Sequence, residues 1–504
     1  MYEPLPPPIL RLSINSKMHR EAGNKLFSGG DSFKALELYN KGLIVAEAGS
    51  QDIALTYANR SAVYMAAKEY QLCLDNIDLA RNAGYPIEKI SVLDDREKRC
   101  RDAMASEDPD PNSDPWTFFK LPYPANEKIP FIVHCLELRQ NLRFGRHIVT
   151  NRDLNPGDII AIEEPFVVEP NISAWHLRCG VCLKSNKMSL IVNDLFPQTM
   201  FCSKECIDKV SKIIPHELQH LEGILTAKYL FETLDTLGGS FEKLQQLSDD
   251  PELSNMTVFD FDLSDKSSPL YKYQMLLAFN SLCRTPLSYH QKCWVQEKAI
   301  DQLTFLKSRE ETDIAINFLY RFNEIVANAV LIMDWRVPVI PGKNKAGPQD
   351  KLNIGTGVFP FAGLMNISCI PNIDRVVVDN KFVFFVRRPI KKSDQLFITF
   401  GMSYLGVPRD IRQHHLQTVM GFRCTCEACV GNYKMSMEHA MNHQITRLKS
   451  SKIEYWKKEF QKNCKIIAKN TRRGCPSYSV AELMFKNRFL LTAISKVEPS
   501  IFNV

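Results

Sequence analysis

Eight of the fifteen cysteines in this 504-residue chain stand at spacings that suit metal ligation. Cys179 and Cys182 form a Cys-x2-Cys pair, and Cys202 and Cys206 follow as Cys-x3-Cys after a gap of nineteen residues. Four thiolates so spaced suit a tetrahedral zinc ion, each short pair making one knuckle and the loop between them bringing the pairs together. In "FRCTCEACV", Cys424, Cys426 and Cys429 supply three more ligands. A closed structural zinc site needs four, and Cys369 in "GLMNISCIPNI" is the natural fourth. The other cysteines (Cys73, Cys100, Cys135, Cys283, Cys293, Cys464 and Cys475) are scattered, and are expected to be small buried apolar residues.

The elements that must position these groups show in the patterning. The chain is long enough for three or four domains. It is 45% hydrophobic and 24% charged, with a net charge of +6. That mild positive balance fits a cytoplasmic or nuclear protein and is too weak to argue for nucleic acid as a partner. "MYEPLPPPILRL" has prolines where a signal peptide would be apolar, and no apolar run is long enough to span a bilayer. With no secretory signal, this many cysteines favour metal sites over disulfides.

Residues 14–105 carry helical periodicity with small and aromatic residues in recurring slots: Ala22, Gly23, Phe27, Ala35 and Tyr39, then Ala58, Ala62, Tyr64 and Tyr70. Small residues let paired helices approach while aromatics fill the gap, the logic of tetratricopeptide repeats; an unrelated helical bundle is the alternative. Residues 106–131 start acidic and proline-rich and read as a linker. Two β-rich runs then flank "NPGD", a tight-turn signal. The pattern is helical from about 207 to 330, strand-like through "RVVVDNKFVFFVRRPI" and "QLFITF", and Lys-rich and helical at the end, where a solvated helix surface is expected.

Several of these segments resemble known families. The first cysteine quartet is similar to the MYND zinc finger, which usually holds two zincs. Here Asn193 and Phe196 stand where a second cysteine pair would be, and His220 replaces the last cysteine after His216, so the resemblance implies one zinc. "NISCIPN" resembles the SET-domain signature and "FRCTCEAC" the post-SET segment, which share one zinc in that family. "GRHIVTNRDLNPGDIIAIEEP", "VANAVL" and "SDQLFITFG" resemble further SET segments. Together they resemble the tetratricopeptide-bearing branch of the SET-and-MYND lysine methyltransferases.

The resemblance implies an α+β multidomain chain. Helical repeats occupy 14–105, a linker 106–131, the first part of SET 132–174, a MYND-like finger 175–220, a helical insert 221–330, the SET core 331–403, the post-SET segment 404–432 and a helical C-terminal region 433–504. It further implies S-adenosylmethionine as cofactor, a lysine-bearing protein as substrate or partner, a link to transcriptional regulation and, in all, two zincs. Gly145, Arg146, Asn328, Asn366, Ile367 and Phe422 match cofactor-binding positions. The lysine side departs from the pattern: Phe400 and Met420 occupy usual tyrosine positions, and only a rebuilt loop would let Tyr404 substitute. Activity could therefore be reduced or lost, leaving a partner-binding scaffold. In the repeats, Arg20, Asn24, Asn59 and Arg96 resemble a clamp for the C-terminal carboxylate of a chaperone peptide, with Val92 where a lysine is usual. The alternative is that these are solvated polar residues on a concave face.

Overall fold

The computed structural model describes residues 13–106, 114–196, 199–213, 224–297, 306–336, 351–433, 453–471 and 476–495. Helices α1 (Ser13–Ser28), α2 (Ser32–Ile44), α3 (Gln51–Ala66), α4 (Tyr70–Asn82) and α5 (Ile90–Ser106) form the N-terminal array, α1 packing on α2 and α3 on α4. Small residues make the close approach possible. A Cβ on Gly23 would lie 2.5 Å from the Tyr39 ring, and Gly42 sits against His19 and the Ser16 carbonyl. Asp31 caps α2 by accepting the Lys34 N–H at 3.0 Å.

Strands follow: β1 (Leu136–Asn141), β2 (Gly145–Thr150), β3 (Ile159–Glu163) and β4 (Val167–Pro170). Asn155–Asp158 forms the expected turn, with Gly157 at φ +93°. A short hairpin, β5 (Ile191–Val192) and β6 (Met200–Phe201), leads to α6 (Lys204–Ile213). The insert holds α7 (Ile224–Thr236), α8 (Phe241–Asp249), α9 (Pro269–Asn280), α10 (Tyr289–Val295) and α11 (Arg309–Ala329). The chain returns through β7 (Val330–Arg336), β8 (Lys351–Val358), β9 (Asn366–Ile367), β10 (Ile373–Val378), β11 (Lys381–Val386) and β12 (Phe397–Ile398), then α12 (Arg409–Met420) and α13 (Glu427–Val430).

Among the described residues the strands form small separate sheets: β1–β2, β10–β11–β3, β4–β8–β7, β5–β6, and the parallel pair β9–β12. One large core joins strands β1–β4, β7, β8 and β10–β12 to the helices of the insert. Ile129 belongs to it, and Phe119 is buried, so packed structure begins inside the stretch assigned to the linker. The Lys-rich C-terminal helices, Ile453–Asn470 and Tyr478–Ile494, do more than present a solvated face. Trp456, Phe460, Cys464 and Leu491 bury against Ile159, Val383 and Phe385. Of the scattered cysteines, Cys73, Cys100, Cys135 and Cys464 are buried as expected, whereas Cys283 and Cys293 are exposed. Cys475 lies outside the described residues. No helix among the described residues is long and apolar enough to cross a membrane.

Candidate functional site

Both cysteine quartets assemble, with the sulfurs of each within 4.8 Å of one another. In the first, Cys182–Cys202, Cys202–Cys206 and Cys182–Cys206 are 3.5, 3.6 and 3.9 Å apart. In the second, Cys369–Cys424 is 3.9 Å and Cys369–Cys429 is 3.6 Å. A tetrahedron of zinc–sulfur bonds of about 2.3 Å has sulfur–sulfur edges of about 3.8 Å, so both donor sets fit zinc. Hydrogen bonding from neighbouring sulfurs drives the Cys179 and Cys426 thiols well below their ordinary range and pushes Cys182 and Cys369 well above it. Such thiols cannot all ionise side by side without a compensating cation.

Each quartet also has a basic side chain close to it. Arg412 on α12 has 0% exposure; it donates through Nη2 to Cys429 Sγ at 3.7 Å and through Nη1 to the Val407 carbonyl at 2.5 Å. Lys228 on α7 donates to the Gly180 carbonyl, inside the first knuckle, at 2.9 Å. Four thiolates around a divalent ion leave two net negative charges, one of which the neighbouring cation at each site offsets. Gln413 holds the Cys424 peptide at both ends, donating to its carbonyl at 2.7 Å and accepting its N–H at 3.1 Å. Asn193 folds into a local turn, accepting the Leu195 N–H. Phe196 is buried beside Cys179 and Phe201. An apolar contact thus stands where the resemblance would place a second cysteine pair. His216 and His220 lie outside the described residues.

The positions matched to cofactor binding are partly brought together. Gly145 closes the β1–β2 turn at φ +61°, a conformation that favours glycine. Asn366 Nδ2 donates to the Phe144 carbonyl at 3.0 Å, tying β9 to that turn. Ile367, Phe422 and Met420 pack on the cluster that contains Cys369, Cys424 and Cys429. Phe422 follows the left-handed cap Gly421. Asn328 stands in the last turn of α11, and its side chain lies outside the described residues. Arg146 also lies at the β1–β2 turn. Its guanidinium donates to the carbonyls of Ser281 and Asn255, so it braces the turn against the end of α9.

Phe400 packs at the edge of the main core, and the Arg375 guanidinium lies 5.9 Å from its ring centroid while donating to the Thr399 carbonyl at 3.1 Å. Tyr404 belongs to a different cluster. It is buried beside Leu405 and Leu416, its N–H on the Cys369 carbonyl and its ring edge-on to Tyr433. Its backbone and ring thus pack with the second quartet, in a different cluster from Phe400.

Glu163 was not singled out from the sequence. It ends β3, is 1% exposed, and accepts the N–H groups of Phe361 and Ala362 at 2.7 and 3.0 Å. Burial pushes its carboxyl up to about 8, against the pull of those two hydrogen bonds. It anchors the turn that leads into Asn366. A pair of acids closing the apolar run "IIAIEEP" was the available signal.

In the helical array, Asn59 Nδ2 donates to Asn24 Oδ1 at 2.7 Å, and Arg96 donates to the Ala58 carbonyl and to Ser61 Oγ at 2.8 and 2.6 Å. Arg20 pairs with Asp52 at 2.8 Å. The four matched residues are neighbours across α1, α3 and α5, each already holding an internal partner, while Val92 is exposed.

The SET domain family profile matches residues 145–401. Two similar proteins are both named protein-lysine N-methyltransferase SMYD4. The one from Pongo abelii is 22% identical over 536 aligned residues, and the one from Homo sapiens is 21% identical over 537. Each alignment covers 82% of this chain, and the chain spans 66% of the length of those relatives. The histone-lysine N-methyltransferase ASHR1 of Arabidopsis thaliana is 23% identical over 300 residues, covering 58% of this chain and 55% of that protein.

Proposed function

Because the chain belongs to the SET-domain family, in its SET-and-MYND branch, we propose that it is an S-adenosylmethionine-dependent protein-lysine methyltransferase of weakened turnover. The observation that carries this reading is the Asn366–Phe144 bond. It joins the signature strand to the Gly145 turn, beside the quartet cluster on which Ile367 and Phe422 pack. S-adenosylmethionine, when bound, supplies an activated methyl group. The chain's part is to hold and orient. Asn366 and the backbone of Ile367 offer hydrogen-bonding groups, Phe422 offers a stacking ring, and the Cys369 quartet keeps that ring in place. In this reading Phe400 and Met420, which pack in separate clusters, would supply apolar surface to desolvate an entering amine. Neither has a hydroxyl to orient it, and losing one such donor commonly costs a factor of about 10²–10³ in rate.

Phe400 and Met420 also favour a second reading, a zinc-held scaffold for partner proteins that binds the cofactor without turnover. Calorimetric titration with S-adenosylmethionine, followed by methyl transfer on a protein array, separates the two. Binding that weakens in Asn366→Ala and Phe422→Ala supports the cofactor site, and transfer decides between enzyme and scaffold. For the array we propose a carboxylate clamp at Arg20, Asn24, Asn59 and Arg96. A free-acid chaperone tail should bind better than its amidated form, although it must compete with Asp52 for Arg20. Equal binding of the two would remove the clamp.

A further inference from the structure

The loop between the two pairs of the first quartet is held from outside the finger. Asn186, Lys187 and Met188 have φ of +45°, +48° and +66°, a run that residues other than glycine keep only under restraint from their surroundings. The helical array supplies it. Arg60 Nη1 donates to the Leu190 carbonyl at 2.6 Å and Nη2 to Ser189 Oγ at 3.1 Å. Asn40 Nδ2 donates to the carbonyls of His176 and Met188 at 2.8 and 3.0 Å. Asn76 Nδ2 donates to Ser189 Oγ at 2.8 Å, and the Tyr64 hydroxyl to the Lys187 carbonyl at 2.9 Å. The Glu69 carboxylate pairs with Lys187 Nζ at 2.5 Å. Met188 and Leu190 share one apolar core with Leu43, Tyr64 and Ile77.

Arg60 is the unusual member. It is 0% exposed, and its described partners are neutral oxygens and the Tyr57 ring, 5.3 Å away. A guanidinium so placed is costly unless acceptors are fixed in advance. The Leu190 carbonyl and the Ser189 hydroxyl are such acceptors only while the loop keeps its shape. Cys182 precedes that loop and Cys202 follows it, and Asn186 Nδ2 bonds the Ser189 and Cys202 carbonyls across its base.

We propose that this interface is a metal-dependent latch. The array grips residues 187–190 as a built-in peptide ligand, and zinc at Cys179, Cys182, Cys202 and Cys206 holds that ligand in the shape the array recognises. The grip uses none of Arg20, Asn24, Asn59 or Arg96, so an outside carboxylate and the latch occupy different residues of one array. The inference stands on the array and the first quartet and is independent of methyl transfer.

The test uses the full chain, with zinc content, X-ray scattering and the rate at which trypsin releases the array as readouts. Arg60→Met should retain two zincs, expand the molecule and speed release about tenfold or more, the effect of losing a charge-assisted hydrogen bond in a locally opening unit. Cys202→Ser should do the same with one zinc lost, while Cys424→Ser, also losing one zinc, should keep the array latched. A compact, trypsin-resistant Arg60→Met protein overturns the proposal, as does equal release in Cys202→Ser and Cys424→Ser. Should Arg60→Met fail to fold, Lys187→Glu should speed release and adding Glu69→Lys should reverse it. Failure of the pair to restore protection also overturns it.

Discussion

At the scale of single residues, the centre is decided by which polar groups have been kept and which replaced. Glu163 is a buried acid that fixes the turn into Asn366 through two backbone N–H groups. Burial raises its carboxyl to about 8 in the folded chain, far above an unfolded glutamate. The fold therefore favours the protonated form. That stabilisation is complete below the unfolded value and is lost as pH rises through about 8. Thermal midpoints of the wild type should accordingly fall more steeply between pH 5 and 9 than those of Glu163→Gln, which cannot ionise. Parallel curves for the two proteins would mean that Glu163 is ionised throughout. Arg146 shows what spacing alone does not give: its guanidinium donates to the Ser281 and Asn255 carbonyls, contacts between segments far apart in the sequence.

At the scale of elements, both quartets were legible because metal ligation fixes residue type and spacing together, and the strand and turn around "NPGD" because proline and glycine punctuate so strongly. What surrounds them was not. Arg412 and Lys228 look like ordinary helix-surface cations in the sequence, and only packing turns them against thiol sulfur and a knuckle carbonyl. The C-terminal helices read as solvated because lysine dominates their composition, while Trp456, Phe460 and Cys464 supply the buried face. We expect purified protein to carry two zincs per chain by elemental analysis; three would show a further site outside the described residues, and none would dissolve both quartets. Arg412→Met should weaken the second site selectively. Removing the cation that offsets one of the two net negative charges in a buried setting should raise zinc loss to a chelator about tenfold, with the first quartet unaffected. Equal loss from both quartets, or none from either, would remove the charge-compensation argument.

At the scale of the whole molecule, the second quartet holds the segment bearing Phe422 and Met420 next to β9, and the Gly145 turn is tied to the same strand. In the proposed reading the cofactor side would use backbone groups, the Asn366 amide and the Phe422 ring, which tolerate the chain's substitutions. In the same reading the lysine side would depend on hydroxyls, which Phe400 and Met420 lack. Cofactor binding and turnover should therefore come apart, and Phe400→Tyr measures that separation most directly. Methyl transfer to any accepted protein, assayed beside calorimetric titration with S-adenosylmethionine, should rise by about 10²–10³ in the variant while cofactor affinity stays within about twofold, because the added hydroxyl acts on the transition state and not on the binary complex. Robust wild-type turnover that Phe400→Tyr leaves unchanged would contradict this account, since another group would then be doing the tyrosine's work.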